Sequence, residues 1–463
     1  MVSDTLHFDL VVIGFGKAGK TLAGTYARSG KNVALIEQSS QMYGGTCINI
    51  GCVPTKALVE RAHTLREGEN PDEHYASAVT FREKLTGAMR AKNKEILLSN
   101  ETAKLIDGHA RFISDTEIEV TGGDTSLRIT ADYFVINTGA VPVLPAIDGL
   151  AESTRVLTST ELQSLEPRPQ RLAVLGGGPI GIEFAGIFAS YGTQVSILDG
   201  PPALFDRYDE DVAQVARDIL TEQGITVHSG VRVERIEDSA EGVTVYYANS
   251  EGASQGLEAD YVLVATGRKP ATEGLGLENT SIKLTERGAI AVDEHLRTSV
   301  PNIFAAGDVN GGPQFTYISL DDYRVIASQL MGDGSRSTGD RQAVAATMYM
   351  NPPLSSVGLT EREALAAGHR VKVSSKPVAA IAAMPRAKIV GNPAGVMKFV
   401  IDAENDKILG AQLLVVESGE VINLVAQAMR FGITASQLRD AIYTHPSITE
   451  GINEVLAVQT EVK

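Results

Sequence analysis

Two glycine motifs, Gly14-Phe-Gly16-Lys-Ala-Gly19 and Gly176-Gly-Gly178-Pro-Ile-Gly181, recur at a fixed offset within one chain of 463. The same offset pairs Ala23 with Ala185, Gly24 with Gly186, Ala27 with Ala189, Gly30 with Gly192 and Val33 with Val195. It also brings Glu37 onto Asp199. Each copy reads as an apolar strand (residues 9–13 and 172–175), a glycine turn, a helix and a second strand (32–36 and 194–198) ending in an acid. This is the pattern of a βαβ dinucleotide unit. The first glycine permits the tight turn, and the second lets backbone N–H groups approach a pyrophosphate. The third lets helix and strand pack closely, and the terminal carboxylate accepts from ribose hydroxyls. One such turn is weak evidence, because glycine turns are common. Two in register, each with its acid at the same spacing from the turn, point to two dinucleotide sites.

The rest of the chain arranges itself around these units. Residues 55–105 read as helical and charge-rich, and 108–120 as short strands. Segments 134–139 and 262–267 repeat a strand entering Thr-Gly, while 167–170 reads as a linker. From about residue 345 the glycine turns stop, and strands at 396–401 and 409–416 precede an amphipathic helix at 421–431. That tail reads as a separate domain. Asp plus Glu total 57 against 41 Lys plus Arg, a net charge of −16 that opposes nucleic acid and anionic membranes. No run approaches the ~18 apolar residues of a membrane span. Residues 10–13 enter the glycine turn directly, as a strand and not a signal peptide, so a cytoplasmic location is expected.

Only two cysteines occur, Cys47 and Cys52, too few for a disulfide scaffold or a typical metal cluster. Their spacing points to redox chemistry, with two inert buried thiols as the alternative. They lie in Gly44-Gly-Thr-Cys47-Ile-Asn-Ile-Gly51-Cys52-Val-Pro54-Thr-Lys56. In a regular helix, Cα atoms five residues apart are about 8.6 Å from each other. A disulfide requires roughly 4.4–6.8 Å. The segment must therefore be distorted if the pair closes, and Gly51 and Pro54 offer ways to bend it.

That cysteine segment resembles the flavin-dependent pyridine nucleotide–disulfide oxidoreductases, and the resemblance extends over nearly the whole chain. Ala305-Ala-Gly307-Asp308 resembles the family's second FAD motif, Leu354–Thr360 the start of its dimerisation domain, and His445-Pro-Ser-Ile-Thr-Glu450 its C-terminal His–Glu pair. The resemblance implies an α/β fold with two Rossmann-like domains, one for FAD and one for NAD, plus a C-terminal α+β dimerisation domain. The expected segments are 1–150 and 271–344 for FAD, 151–270 for NAD(P)H and 345–463 for dimerisation. It implies that Gly14, Gly16 and Gly19 hold the FAD pyrophosphate and Glu37 the adenosine ribose. Gly45, Thr46, Lys56, Ala110, Thr138, Gly139, Asp308 and Phe315 complete the FAD contacts. Gly176, Gly178, Gly181, Glu183, Asp199 and Gly267 would serve NAD. Cys52 is implied as the flavin-facing thiolate and Cys47 as the thiol that meets substrate. Lys56 and Glu183 would help hydride pass from the nicotinamide. As a structural alternative, Glu183 falls in the first turn of its helix, where a carboxylate complements the dipole. His445, oriented by Glu450, would act as a base on the partner's cysteines, so the active sites are shared across a homodimer.

The branch follows from finer features. With no third cysteine, the relays of mercuric reductases and large thioredoxin reductases are excluded. A charge of −16 does not favour an acidic peptide such as glutathione disulfide. The segment after Asp308 lacks the Ala-His-Lys of dihydrolipoamide dehydrogenase. Residues 14–22 and 315–324 instead resemble the bacterial reactive-chlorine-resistance branch, which implies a small oxidant: hypothiocyanous acid first, Cu(II) second. Asp199, with no arginine before Arg207, suits the 2′-hydroxyl of NADH and disfavours NADPH. Two alternatives stay open: dihydrolipoamide dehydrogenase, and a thiol or metal sensor on a flavoprotein scaffold. No resident metal site is expected.

Overall fold

The computed structural model describes residues 5–122 and 125–462. Its described residues form two compact units, one built from 5–58, 76–122, 125–143 and 267–340, the other from 59–75, 144–266 and 341–462.

The first unit begins with strand β1 (Leu6–Ile13), helix α1 (Lys17–Arg28) and strand β2 (Val33–Glu37). Every residue of β2 is buried, as an apolar run must be when a parallel strand is covered on both faces. α1 presents Leu22, Ala23, Tyr26 and Ala27 to the core at helical spacing. After α2 (Thr46–Asn49), α3 (Cys52–His63) and α4 (Pro71–Leu98), the chain returns as β3 (Ala103–Asp107), β4 (His109–Ser114), β5 (Glu117–Gly122) and β6 (Thr125–Ile136). The sheet order is β3-β2-β1-β6-β5-β4, and strand Ile303–Ala305 pairs with β6. β3, β2, β1 and β6 run parallel, so the glycine turn after β1 and the end of β6 emerge at one edge of the sheet. That edge is where an α/β sheet binds its ligand.

The second unit repeats the design with a parallel sheet of Thr226–Ser229, Gln194–Asp199, Arg171–Leu175, Tyr261–Val264 and Val156–Leu157. Its tail forms a six-stranded antiparallel sheet that includes Val396–Asp402 and Ile408–Leu414. Val421, Ile422 and Val425 of the helix Ser418–Arg430 share a core with Phe399 and Leu413 of that sheet. The helix stops one residue earlier than its apolar pattern suggests. Phe431 lies beyond it and is 79% exposed, because the chain turns at Gly432 with φ +68°.

Candidate active site

The two glycine turns share their backbone conformation and close contacts at the first and third glycines. Gly14 (φ +100°) and Gly176 (φ +105°) occupy backbone that disfavours side chains, and added Cβ atoms would meet the Asn137 and Ala265 carbonyls at 2.4 and 2.6 Å. A Cβ on Gly19 would lie 2.7 Å from Val12, and one on Gly181 would lie 2.0 Å from the Gly176 carbonyl. Helix and strand can therefore approach only over glycine. Gly178 differs, with nothing within 4 Å of the Cβ position, leaving open space at the N-terminus of Pro179–Ser190. The acids tie the turns to the strand ends. Glu37 Oε2 accepts the Phe15 N–H at 3.0 Å, and Asp199 Oδ1 accepts the Gly177 N–H at 2.9 Å. Phe15 and Gly177 are themselves equivalent positions of the two glycine motifs, so the repeat extends to its hydrogen bonds. Burial raises the pKa of the Glu37 carboxyl, and the N–H groups of Phe15 and Ser39 oppose it.

Three polar side chains missed in the sequence hold backbone here, Asn137 and Ser319 at the first turn and Asp322 at Gly307. Asn137 Oδ1 accepts the Gly19 N–H at 2.9 Å, and its Nδ2 donates to the Ala306 carbonyl at 2.6 Å. Ser319 Oγ accepts the Ala18 N–H at 3.2 Å, and Asp322 Oδ2 accepts the Gly307 N–H at 2.6 Å. A signal for Asn137 existed: aligning Asn137-Thr-Gly139 with Ala265-Thr-Gly267 shows amide in one unit and methyl in the other. Asn137→Ala leaves a buried donor and acceptor unpaired, so a loss of about 2–4 kcal/mol is expected in denaturant titration. Asn137→Asp, which restores the acceptor alone, should recover part of it.

The other expected FAD contacts lie in the same unit. Thr138 Oγ1 donates to the Ala271 carbonyl at 2.7 Å, next to Gly139 at φ +74°. Gly267 (φ +120°), expected to serve NAD, falls in this unit too, where its carbonyl accepts the Val143 N–H at 2.9 Å. Burial raises the Asp308 pKa, and the Arg268 guanidinium opposes it. Ala110 is buried in β4 and pairs with Val120. Phe315 caps the helix Thr316–Met331 and stacks on Tyr317 with centroids 5.0 Å apart.

The cysteine segment is two helices, not one. α2 ends at Asn49, α3 starts at Cys52, and Gly51 lies in the break. Gly45 (φ +87°) opens α2, and a Cβ there would stand 2.6 Å from Gly16 Cα, so the Thr46–Cys47 segment rests on the glycine turn. Both cysteines are free thiols. Cys52 is the first residue of a twelve-residue helix, a position whose positive end stabilises a thiolate. The Thr316 hydroxyl lies 3.5 Å from its sulfur. The Cys47 hydrogen bond is the main cause that lowers the Cys52 pKa to about 6; burial opposes it, and Thr316 and Lys56 assist. That same bond, with burial, pushes the Cys47 pKa up. Of the two, Cys52 is the thiol whose surroundings favour the thiolate.

Glu183 corrects one expectation. The helix starts at Pro179 and has no acid in its first turn, so Glu183 sits in the second turn, beyond effective reach of the dipole. It is instead 4% exposed and accepts the Tyr349 N–H at 3.0 Å. At the C-terminal end, His445 Nδ1 lies 2.8 Å from Glu450 Oε2, and Ser447 N–H donates to Glu450 Oε1 at 2.8 Å. Burial disfavours ionised Glu450, but Ser447 and His445 outweigh it and hold its pKa below the ordinary value. The His445 side chain is 68% exposed. Its Nδ1 is engaged and its Nε2 remains for chemistry. Among the described residues, no group of three or more His, Cys, Asp or Glu side chains is placed to hold a metal, and no helix is long and apolar enough to cross a membrane.

Comparison with known proteins agrees with this geometry. Residues 8–322 match the pyridine nucleotide-disulphide oxidoreductase family, and residues 344–456 match its dimerisation domain. The chain is 44% identical to the probable pyridine nucleotide-disulfide oxidoreductase RclA of Escherichia coli (strain K12), over 97% of this chain and 99% of that one. It is 35% identical to a mercuric reductase of Staphylococcus aureus, over 96% and 81% of the two chains. The solved structure of the HOCl-induced flavoprotein disulfide reductase RclA from Escherichia coli matches with a TM-score of 0.91 at 44% identity, covering 97% and 99%. The Cu(II) complex of a cysteine-to-serine variant of that protein matches at 0.93 and 43% identity, covering 98% and 100%. The family implies a flavin, a pyridine nucleotide and a dimer. With glycine turns, thiol pair and dimerisation domain all in place, the chain belongs to the pyridine nucleotide-disulphide oxidoreductases.

Proposed function

We propose that the protein is an NADH-dependent, FAD-containing disulfide oxidoreductase that reduces a small oxidant, hypothiocyanous acid first and Cu(II) second, in defence against reactive chlorine. The observation that carries this is the unequal setting of the thiol pair: Cys52 heads α3 with the Thr316 hydroxyl 3.5 Å from its sulfur, a place that favours its thiolate, whereas Cys47 lies within the short helix α2. The likeness to a HOCl-induced flavoprotein with a Cu(II) complex supports the choice of oxidant. FAD is assigned to 1–150 and 271–344, NADH to 151–270 and dimerisation to 345–463, with the protein acting in the reducing cytoplasm. Bound FAD supplies a path for an electron pair from nicotinamide to the cysteine disulfide.

The chain's own groups do the rest. Cys47 sulfur, losing its proton as it reacts, attacks the sulfur of hypothiocyanous acid, and hydroxide departs as water after protonation by His445 of the partner subunit. Cys52 then attacks Cys47, closing the disulfide and expelling thiocyanate. The balance is NADH + HOSCN → NAD⁺ + SCN⁻ + H₂O. Lys56 and Glu183 assist hydride transfer, and Asp199 selects NADH. Its Oδ1 is engaged by Gly177, so Oδ2 is the oxygen offered to the ribose.

The test is NADH and NADPH consumption against hypothiocyanous acid, Cu(II), lipoamide, glutathione disulfide and Hg(II) at matched concentrations. Hypothiocyanous acid should be the fastest substrate. NADH should exceed NADPH by roughly tenfold or more in kcat/KM, about 1.4 kcal/mol of discrimination. Faster lipoamide turnover would assign a dihydrolipoamide dehydrogenase, and slow oxidation unchanged by every oxidant would assign a sensor. A preference for NADPH removes the role given to Asp199.

A further inference from the structure

Lys20 puts a charge where the fold does not need one. In the second nucleotide unit the equivalent position, following Gly181 as Lys20 follows Gly19, is Ile182, fully buried in the helix Pro179–Ser190. An apolar side chain serves that helix well. In α1 the position carries an ammonium that is half-buried, an arrangement that costs free energy unless something is gained.

What it contacts is the approach to Cys47. Lys20 Nζ donates to the Gly44 carbonyl at 2.9 Å. Gly44 (φ +94°) and Gly45 (φ +87°) form the turn into α2, whose second residue is Cys47. That turn is closely packed: a Cβ on Gly45 would lie 2.6 Å from Gly16 Cα, and one on Gly44 would lie 2.1 Å from the Ile48 side chain. Lys20 thus pins the turn just ahead of the cysteine, and its ammonium favours a thiolate on Cys47. Burial lowers the Lys20 pKa to about 8, Lys17 adds to this, and Cys47 opposes it. The groups acting on Cys47 are Cys52, Thr316 and Lys20.

We infer that Lys20 is a positioning residue for Cys47, fixing the Gly44–Cys47 turn and setting a positive charge beside the sulfur as it becomes anionic to attack. This rests on Cys47 being the thiol that meets the oxidant. The physical need is plain. The hydrogen bond to Cys52 and burial disfavour the Cys47 thiolate, and a protonated thiol is a poor nucleophile. A neighbouring ammonium offsets that handicap without contacting the oxidant itself.

The experiment alkylates the reduced holoenzyme with iodoacetamide under anaerobic conditions across a pH series, with peptide mapping to follow each cysteine. Lys20→Met should slow Cys47 alkylation roughly tenfold at neutral pH and move its pH profile up by about one unit. Lys20→Arg should stay near the wild type, because it keeps the charge and a donor to Gly44. Cys52 alkylation and flavin content should change little in either variant. Lys20→Gln replaces the methionine variant if that chain does not fold. Cys47 profiles that coincide in the wild type and the uncharged variant would overturn the role of Lys20. If Cys47→Ser still consumes one equivalent of hypothiocyanous acid per site in a single turnover and Cys52→Ser consumes none, the assignment of Cys47 fails, whatever the Lys20 variants do.

Discussion

Cys47→Ser is expected to lower turnover with every oxidant by roughly 10⁴-fold or more, since serine cannot replace the sulfur nucleophile at neutral pH. The fold should survive, because the half-exposed Cys47 sits in a short helix held by backbone and glycine contacts. Cys52→Ser should be equally inactive in steady state but for a different reason. Its Cys47 can still attack once, then lacks the thiolate that releases the leaving group. A single-turnover assay separates the two: Cys52→Ser should consume one equivalent of oxidant per site and Cys47→Ser none. The pH dependence has a definite sign. The folded pKa of Cys52, about 6, lies below that of an ordinary thiol. The stabilisation from its thiolate is therefore complete above the ordinary thiol value and lost as pH falls through about 6. The long-wavelength absorbance expected when this thiolate faces a bound flavin should fade over the same range. A band that persists well below pH 5 would overturn a Cys52 pKa of about 6.

The same residues show what the sequence made legible. Gly14, Gly16, Gly19 and their partners near Gly176 were readable because a glycine turn is a local device, written in consecutive residues and needing nothing distant. Glu37 and Asp199 were readable by their spacing, although their bonds to Phe15 and Gly177 were not. The break between α2 and α3 was legible as a demand for distortion, and Gly51 marked its place.

Asn137 and Ser319 were hidden because each acts on backbone far away in the chain, and Asp322 because it reaches back from a helix to the Gly307 turn. Asn137 reaches Gly19 and Ala306, and Ser319 reaches Ala18, across 301 positions in the last case. Periodicity does not encode such pairings. Sheet order does, once β6 lies beside β1. Glu183 shows the converse. Its position near a helix start invited a dipole account, and only the observed start at Pro179 and the contact with Tyr349 removed it. Lys20 was in view inside a motif, yet its meaning needed the Gly44 carbonyl beside it.

His445→Ala should slow turnover by roughly 10²–10⁴-fold, the usual contribution of a general acid–base group. Flavin content should be unchanged, since the His445 ring is largely exposed and its one observed partner is Glu450. Glu450→Gln should do less harm, because an amide can still accept from Nδ1 although it no longer favours the charged imidazole. The structure has already fixed one part of the geometry: the acid orients the ring and leaves Nε2 toward solvent. If that nitrogen serves the cysteines of the second subunit, two dead chains can make one live site. Mixing Cys47→Ser and His445→Ala chains gives half heterodimers, each with one intact pair and one doubly defective pair. Activity should therefore recover to about a quarter of wild type, as random pairing of a two-fold dimer requires. Both parent homodimers remain near zero, so the recovered signal is easily read. A mixture no more active than its parents, with heterodimers shown by mass spectrometry, would place His445 and the cysteines of one chain in the same site.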